Sequence, residues 1–140
     1  MGKGDKMKKV FICSPCRPRG ETREAREKDW ICNINRACCA CRYAVDQGKM
    51  PYAPHLYFTM FLSDTDEDER TLGILLGLTW LAQCDELWVI GRRITAGMEQ
   101  EIAKAIEWNI KVVHYIPRCT PEERLLDAIF HPEIQYKEMI

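Results

Sequence analysis

Residues 85–105, DELWVIGRRITAGMEQEIAKA, decide the fold of this chain. The apolar run 87–90 predicts a short buried strand, and Gly91 opens the loop that follows it. Thr95 is a suitable N-cap for a helix, and Gly97 lets the backbone turn closely into its first turn. The apolar residues of this helix recur at helical spacing and predict a stripe that faces a sheet: Met98, Ile102, Ala105 and Ile106.

A strand, a small-residue loop and a helix N-terminus form a site for an anion beyond the carboxyl end of a parallel sheet. Glu101 lies one turn inside the helix, at the edge of the apolar stripe. A carboxylate partly withdrawn from water at this place can act as a nucleophile or a base. The spacing alone leaves a second interpretation open, in which Glu101 is a surface carboxylate paired with Lys104 or Arg93.

The rest of the chain alternates between strand-like and helix-like segments. Strands are predicted at 9–14 and 110–116, with a short one within 50–58 that has His55 at its carboxyl end. Helices are predicted at 29–47, 70–82 and from Thr120 onward. For the first of these helices, the inward stripe is predicted to be Ile31, Ile34, Cys38, Cys41 and Val45. Helices alternating with strands predict an α/β three-layer domain, Rossmann-like or flavodoxin-like, with a mostly parallel sheet of four to five strands.

Length and composition set outer limits on the function. The 140 residues fit one domain, with tails expected at 1–7 and 131–140. The formal net charge of −1 argues against a general nucleic-acid coat. No apolar run approaches the roughly 20 residues that span a bilayer, so no membrane partner is expected. The charged opening MGKGDKMKK lacks the apolar core of a secretory signal, which predicts a cytoplasmic protein.

The chain contains eight cysteines. Without an export signal, reduced thiols are expected rather than disulfides. Cys13 and Cys16 form a C-x-x-C pair, but Cys13 lies inside a predicted strand, and the cluster of Cys38, Cys39 and Cys41 lies on a predicted helix. We therefore predict no metal site, and interpret most of the cysteines as small buried hydrophobic residues.

A basic segment follows the first predicted strand, and its Pro and Gly residues argue against regular structure. Arg17 and Arg19 come directly after the strand end, where ligands of open α/β sheets bind, which makes Arg17 a candidate for phosphate binding. Arg23 and Arg26 are further along, and a solvated loop is the preferred interpretation for them.

Three blocks of sequence, VFICSPCR, MPYAPHLYF and CDELWVIGRRITAGMEQEIAKA, together resemble the nucleoside 2-deoxyribosyltransferase superfamily over about residues 8–116. The spacing G-x-x-x-E-x-x-x-A, formed here by Gly97, Glu101 and Ala105, is its most specific part. The resemblance implies that Glu101 attacks the anomeric carbon of a sugar, after which the base leaves. It implies no cofactor.

The chain also resembles the deoxynucleoside 5′-monophosphate N-hydrolases of that superfamily. This likeness implies that Arg17 and Thr95 bind the 5′-phosphate and that the base or sugar pocket is shaped by further side chains. The substrate-binding residues implied in this way are Ser14, Arg17, His55, Tyr57, Arg70, Thr95, Gly97 and Met98.

Two departures from the superfamily pattern stand out. Gly77 occupies the position of an aspartate that assists protonation of the departing base, and Phe11 occupies that of a tyrosine that binds the catalytic glutamate. We expect Asp64 to substitute as the acid, with Asp66 and Glu69 as alternatives from the same acidic run.

The predicted function is thus an N-glycosidase or deoxyribosyltransferase that acts on a nucleoside 5′-monophosphate. The alternative is a binding module that holds a nucleotide or an ADP-ribose-like ligand without turnover. Gly73 and Gly77, four residues apart, allow close backbone approach to the sheet or to a second subunit. Members of the superfamily complete their pockets with residues from a neighbouring chain. Together with the two glycines, this resemblance predicts a homodimer or higher homo-oligomer.

Overall fold

The computed structural model describes residues 6–63, 65–116 and 134–138. Its elements alternate as the sequence predicts. Within the described ranges they are β1 (Lys9–Cys13), α1 (Arg23–Asp46), β2 (Met50–Tyr52), α2 (Pro54–Phe58), α3 (Glu67–Leu81), β3 (Glu86–Ile90), α4 (Ala96–Glu107), β4 (Lys111–Ile116) and β5 (Ile134–Glu138).

The strands form one five-stranded sheet in the order β2-β1-β3-β4-β5. All four pairings are parallel. The predicted α/β class and mostly parallel sheet are therefore confirmed. The chain order reverses between β1 and β3, and in open sheets of this kind ligands bind in the crevice beyond the carboxyl ends of the strands at that point.

The helices cover both faces of the sheet, which gives the predicted three layers. Alternation along β1 divides its side chains between the two faces. Val10 and Ile12 pack with Ala40 and Ala44 of α1. On the other face Phe11 and Cys13 form a core with α3 and α4, whose contributions include Leu81, Met98 and Ala105.

Helix α1 differs from the prediction in its start and in its buried face. It begins at Arg23 because Thr22 caps it, accepting a hydrogen bond from the Ala25 amide at 3.1 Å. Arg23 and Arg26 are exposed as expected, but they lie on this helix and not in a loop. The predicted inward stripe is wrong, since Ile31 and Val45 are more than half exposed. The buried residues are instead Asn33, Ala37, Ala40 and Ala44, whose small size lets the helix lie close to the sheet.

The segment after β2 also differs from the prediction. The strand ends at Tyr52, and Pro54 occupies the first turn of α2, where its missing amide costs no hydrogen bond. His55 therefore lies in a short helix and not at a strand end. Helix α3 starts at Glu67, earlier than predicted, because Asp66 caps it with hydrogen bonds from the amides of Asp68 and Glu69.

At the carboxyl-terminal end, the expected tail 131–140 contains strand β5, so that prediction is wrong. β5 pairs with β4 from Val112↔Ile134 to Ile116↔Glu138. Its sequence, IQYKE, mixes charged and polar residues with two β-formers, which is typical of an edge strand and gives a weak sequence signal. The helix predicted from Thr120 lies outside the described residues. No helix in the described ranges is long and apolar enough to cross a membrane.

Candidate active site

A pocket of about 490 Å³ opens beyond the carboxyl ends of β1 and β3. Its walls come from the loop after β1, from α2 and α3, from the loop after β3, and from the first two turns of α4. This volume suits a small-molecule ligand. The pocket coincides with the point at which the strand order reverses, so the sheet itself dictates its place.

Glu101 lines this pocket from α4. Thr95 starts the helix by accepting a hydrogen bond from the Met98 amide at 3.2 Å, and Met98 and Ala105 anchor the helix in the core. Glu101 is partly buried between these anchors, on the pocket side. Burial raises the pKa of its carboxyl from 4.5 to about 7, and a hydrogen bond from the Cys13 thiol opposes this rise.

The two ion pairs that would make Glu101 an ordinary surface carboxylate are not formed. Lys104 pairs with Glu107 at 3.1 Å, and Arg93 pairs with Asp29 at 3.4 Å. Among the described residues, Glu101 has neither of these cations as its partner. The interpretation that places this side chain in a pocket is the one that fits its surroundings.

Cys13, at the end of β1, is the residue that sequence analysis missed. It is fully buried, and its thiol donates a hydrogen bond to the Met98 carbonyl oxygen at 3.9 Å, three residues before Glu101 on α4. Burial, together with the nearby Glu101 charge, raises the pKa of Cys13 well above its usual value. The alternation of side chains along β1 could have placed Cys13, because it lies on the same face of the strand as Phe11, which packs against α4.

The N-terminus of α4 opens onto the pocket. Thr95 and Gly97 line the pocket there, the missing side chain of Gly97 leaves the first-turn backbone open, and Arg17 is a further lining residue. The carbonyl oxygen of Arg17 accepts a hydrogen bond from Nη2 of Arg93 at 3.2 Å, which fixes the loop after β1. A guanidinium and a helix N-terminus both favour a phosphate group.

Ser14 and His55 join the loop after β1 to α2. The Ser14 hydroxyl and Nε2 of His55 are 3.0 Å apart, and both side chains line the pocket. The pair places a titratable ring beside the position of a bound ligand. Because α2 starts directly after β2, this histidine reaches the same edge of the sheet as Ser14.

Helix α3 supplies the opposite wall through Glu69, Arg70, Gly73 and Gly77. A side chain at Gly77 would meet only Pro54, at 3.8 Å, so the wall is apolar where the superfamily pattern has an aspartate. Gly73 faces Leu62, and both glycines are directed at the pocket and α2. They therefore give no support for a subunit interface, and the homo-oligomer stays a prediction.

Among the described residues of the acidic run 64–69, Glu69 lines the pocket, from the first turn of α3. Oε2 of Glu69 accepts a hydrogen bond from the Ser63 amide at 3.0 Å, which leaves its second oxygen for a ligand. Asp66 is engaged as the cap of α3. Asp64, the predicted acid, lies outside the described residues.

The structure does not bring Tyr57 to the pocket, which corrects that prediction. Its ring stacks on Trp80 with centroids 5.7 Å apart and meets Phe61 edge-on at 5.1 Å. Neighbouring residues of a helix point in different directions, and in α2 it is His55 and Phe58 that face the pocket. The other predicted substrate-binding residues all line it: Ser14, Arg17, His55, Arg70, Thr95, Gly97 and Met98.

In the described part of the chain, no group of three or more His, Cys, Asp or Glu side chains is arranged to hold a metal ion. The seven cysteines of that part of the chain form no disulfide bond with one another. Cys32, Cys38 and Cys39 are exposed on α1, contrary to the interpretation of the cysteine cluster as buried residues.

Comparison with known families gives a match over most of the chain. The model of a family described as a domain of unknown function, DUF7768, matches residues 8–115. The chain belongs to this family. The matched residues include β1, β2 and β3, all of β4 except Ile116, and all of the pocket. No curated protein matches the DUF7768 chain.

Two solved structures share its fold. A 2-deoxyribosyltransferase from the psychrotolerant bacterium Bacillus psychrosaccharolyticus is 15% identical with a TM-score of 0.66, over 94% of this chain and 86% of that one. A conserved protein from Enterococcus faecalis V583 is 20% identical with a TM-score of 0.53, over 94% and 80%. The predicted nucleoside 2-deoxyribosyltransferase-like fold is thereby confirmed for this DUF7768 protein.

Proposed function

We propose that this protein cleaves or transfers at the N-glycosidic bond of a nucleoside 5′-monophosphate, with Glu101 as the nucleophile. The observation that carries the proposal is the position of Glu101, a carboxylate that lines a ligand-sized pocket and whose pKa burial raises to about 7. Strongly perturbed carboxylates concentrate at functional sites. The fold shared with a 2-deoxyribosyltransferase fits the same chemistry.

In the proposed reaction, the ionised Glu101 attacks the anomeric carbon as the bond to the base breaks. The base departs with the bonding electron pair and takes up a proton, which leaves a glycosyl ester on Glu101. Water then attacks the ester in a hydrolase, or a second base attacks it in a transferase, and Glu101 is released. The carboxylate stabilises positive charge at the anomeric carbon in both steps.

Two features of the pocket that Glu101 lines support a phosphate on the substrate. They are the Arg17 side chain and the N-terminus of α4, which Thr95 starts. Glu101 lies six residues after Thr95, about 9 Å along a helix. A sugar 5′-phosphate bound at the helix start would therefore bring its anomeric carbon toward the carboxylate.

Protonation of the departing base needs a second group, because Gly77 supplies none. Glu69 and His55 both line the pocket, and glutamate and histidine are residue types that serve as general acids, so we propose them beside Asp64. Loss of a general acid lowers the rate by about 10²–10⁴-fold. If Asp64→Asn keeps the full rate while Glu69→Gln or His55→Gln loses it, the proposed role of Asp64 is wrong.

The direct test is release of free base from deoxynucleoside and ribonucleoside 5′-monophosphates, followed by chromatography. Glu101→Gln keeps the shape of the side chain and should abolish release, whereas Glu99→Gln, an exposed glutamate on the same helix, should not. No release from any monophosphate by the wild-type protein would refute the proposal.

The apolar wall at Gly77 favours a second candidate function, a binding module for a nucleotide or an ADP-ribose-like ligand. Phe11 also favours this second function, because its side chain is buried in the core and has no hydroxyl that could bind Glu101. A module of this kind would show ligand-dependent thermal stabilisation, about 2.7 kcal/mol at 100 times the dissociation constant, without any product. Glu101→Gln would then change the affinity and nothing else.

A further inference from the structure

We propose that Asp29 is a positioning residue, which lies outside the pocket and holds the basic segment after β1 so that Arg17 can bind a phosphate. The basic segment is residues 16–19, CRPR. Asp29 lies on the second turn of α1 and is not among the residues that line the pocket, whereas Arg17 is. The role in phosphate binding rests on the proposed function, but the hold on the segment can be tested without a substrate.

The basic segment has no regular structure of its own to hold it in place. Its residues belong to neither a helix nor a strand. Pro15 precedes it and Pro18 lies within it, and a proline has no amide hydrogen to donate. The conformation of the segment therefore depends on side chains that reach it from other elements.

Asp29 reaches the segment at two places. Its Oδ2 accepts a hydrogen bond from the Arg19 amide at 2.6 Å. The same oxygen is 3.4 Å from Nη1 of Arg93, and Nη2 of Arg93 donates to the Arg17 carbonyl oxygen at 3.2 Å. Asp29 thus binds the end of the segment directly and its centre through Arg93.

Asn33, one turn later on α1, holds the start of the segment. Its Nδ2 donates to the Cys16 carbonyl oxygen at 3.3 Å and lies 3.5 Å from Oδ2 of Asp29. Asn33 is buried, with 1% of its surface exposed. The Asp29 oxygen is therefore the point at which the supports from α1 and from the loop after β3 meet.

The ion pair of Asp29 with Arg93 is sheltered from solvent. The Asp29 and Arg93 side chains are 23% and 21% exposed, whereas those of the Arg23–Glu27 pair on the same helix are 89% and 63% exposed. Shelter reduces the screening that makes surface pairs weak. The Arg19 amide, assisted by Arg93, lowers the pKa of Asp29 from 3.8, so this carboxyl is ionised at neutral pH.

The arrangement leaves the guanidinium groups of the basic segment available to a ligand. Arg17 and Arg19 both line the pocket, and neither forms an ion pair with an acidic side chain of the described ranges. A phosphate that meets a segment already held in place need not order it, which favours binding. Glu101 is carried by α4 and not by this segment, so its chemistry should be independent of Asp29.

Three variants test the proposal. Asp29→Ala removes both contacts, and Asp29→Asn keeps an oxygen for the Arg19 amide but loses the charge that pairs with Arg93. Asp46→Asn is the matched control, since Asp46 lies on the same helix and pairs with Arg42 at 3.0 Å. If Asp29→Ala folds poorly, Asp29→Asn carries the test because it keeps the shape of the side chain.

The first measurement needs no ligand and follows the order of the segment. Hydrogen exchange of the Arg19 amide by NMR should become about 10–100-fold faster in Asp29→Ala, because that amide loses a hydrogen bond to a charged group. Tryptic cleavage after Arg19, followed by mass spectrometry, should accelerate in parallel. Asp29→Asn should show a smaller effect and Asp46→Asn none. Unchanged exchange of the Arg19 amide in Asp29→Ala would overturn the proposal.

The second measurement is calorimetric binding of the four deoxynucleoside 5′-monophosphates, each compared with its own nucleoside. Asp29→Ala should raise the Kd of a bound monophosphate by up to about 10-fold, the equivalent of ordering one arginine side chain, and leave the nucleoside unchanged. In an Arg17→Ala background, Asp29→Ala should have little further effect, because it acts through Arg17. An equal loss of affinity for nucleoside and monophosphate, or full additivity with Arg17→Ala, would show that Asp29 serves only the fold.

Turnover separates this inference from the proposed function. Where base is released, Asp29→Ala should raise KM and leave kcat unchanged. Absence of base release, with the effect of Asp29 on monophosphate binding intact, would refute the proposed function alone. Base release with a monophosphate affinity that does not respond to Asp29→Ala would overturn this inference alone. A wild-type protein that binds none of the monophosphates would overturn both.

Discussion

Glu101→Gln should make the protein more stable at neutral and alkaline pH, although it removes the proposed nucleophile. Burial raises the pKa of Glu101 from its usual 4.5 to about 7, so the folded state holds this proton more tightly than the unfolded state does. Ionisation then destabilises the fold. The penalty is absent below about pH 4.5, grows as pH rises toward 7, and is constant above that, where it reaches up to about 3 kcal/mol.

Glutamine keeps the volume of the side chain and carries no charge. For a chain of this size, 1 kcal/mol corresponds to about 3 °C in Tm, so the variant should melt up to about 10 °C above the wild type at pH 8 and together with it at pH 4. The assay is thermal or urea denaturation of both proteins from pH 4 to pH 8.5. Glu99→Gln is the control, because that side chain is exposed on the same helix. A gap between Glu101→Gln and the wild type that is independent of pH would refute the reasoning.

Three further substitutions probe the pocket walls. Arg17→Ala should raise KM for a nucleoside monophosphate by about 10–100-fold, since a hydrogen bond to a charged group contributes about 1.5–3 kcal/mol. Steady-state kinetics should show no such change in Arg23→Ala or with a nucleoside that lacks phosphate. Thr95→Ala removes the cap of α4 and should lower the free energy of unfolding by about 1 kcal/mol in urea titrations. Gly77→Ala should raise it by up to about 1 kcal/mol, because the added carbon meets only Pro54 at 3.8 Å; a loss of stability would show that this wall has no space.

Sequence predicts best those parts of the fold in which the local pattern of residues agrees with how the element packs in the domain. The strand at 86–90 is apolar after Glu86, and the helix that Thr95 caps buries Met98 and Ala105, so both elements appear where they are predicted. Ile106 is the exception, because this member of the predicted sheet-facing stripe is exposed. In α1 the pattern and the packing disagree. Its apolar side chains, Ile31 and Val45 among them, lie outside, while alanines face the sheet. Hydrophobicity scales reward large side chains, but a helix that packs closely on a sheet needs small ones.

The pocket was predictable to the extent that it depends on the order of strands. Residues that directly follow β1 or open α4, such as Arg17 and Thr95, must lie at the carboxyl edge of a parallel sheet. Residues on α2 depend on the rotation of a short helix, which no periodicity defines over five residues. His55 and Tyr57 were for this reason predicted alike, and only His55 faces the pocket. The hydrogen bond from Cys13 to the Met98 carbonyl oxygen joins two elements across 85 residues of sequence and has no local signature.

The energetic cost of Glu101 is itself an argument for a function. A glutamate that served only the fold would be solvated or paired with a cation, and the nearby cations Lys104 and Arg93 are paired with other acids. Instead the carboxylate is held partly buried, at a cost of up to about 3 kcal/mol when it is ionised. The same pocket presents a guanidinium and a helix N-terminus to an anion. Strain of this kind persists where a ligand or a reaction requires it. Glu101→Gln therefore separates the two roles, because one substitution should raise stability and abolish base release together.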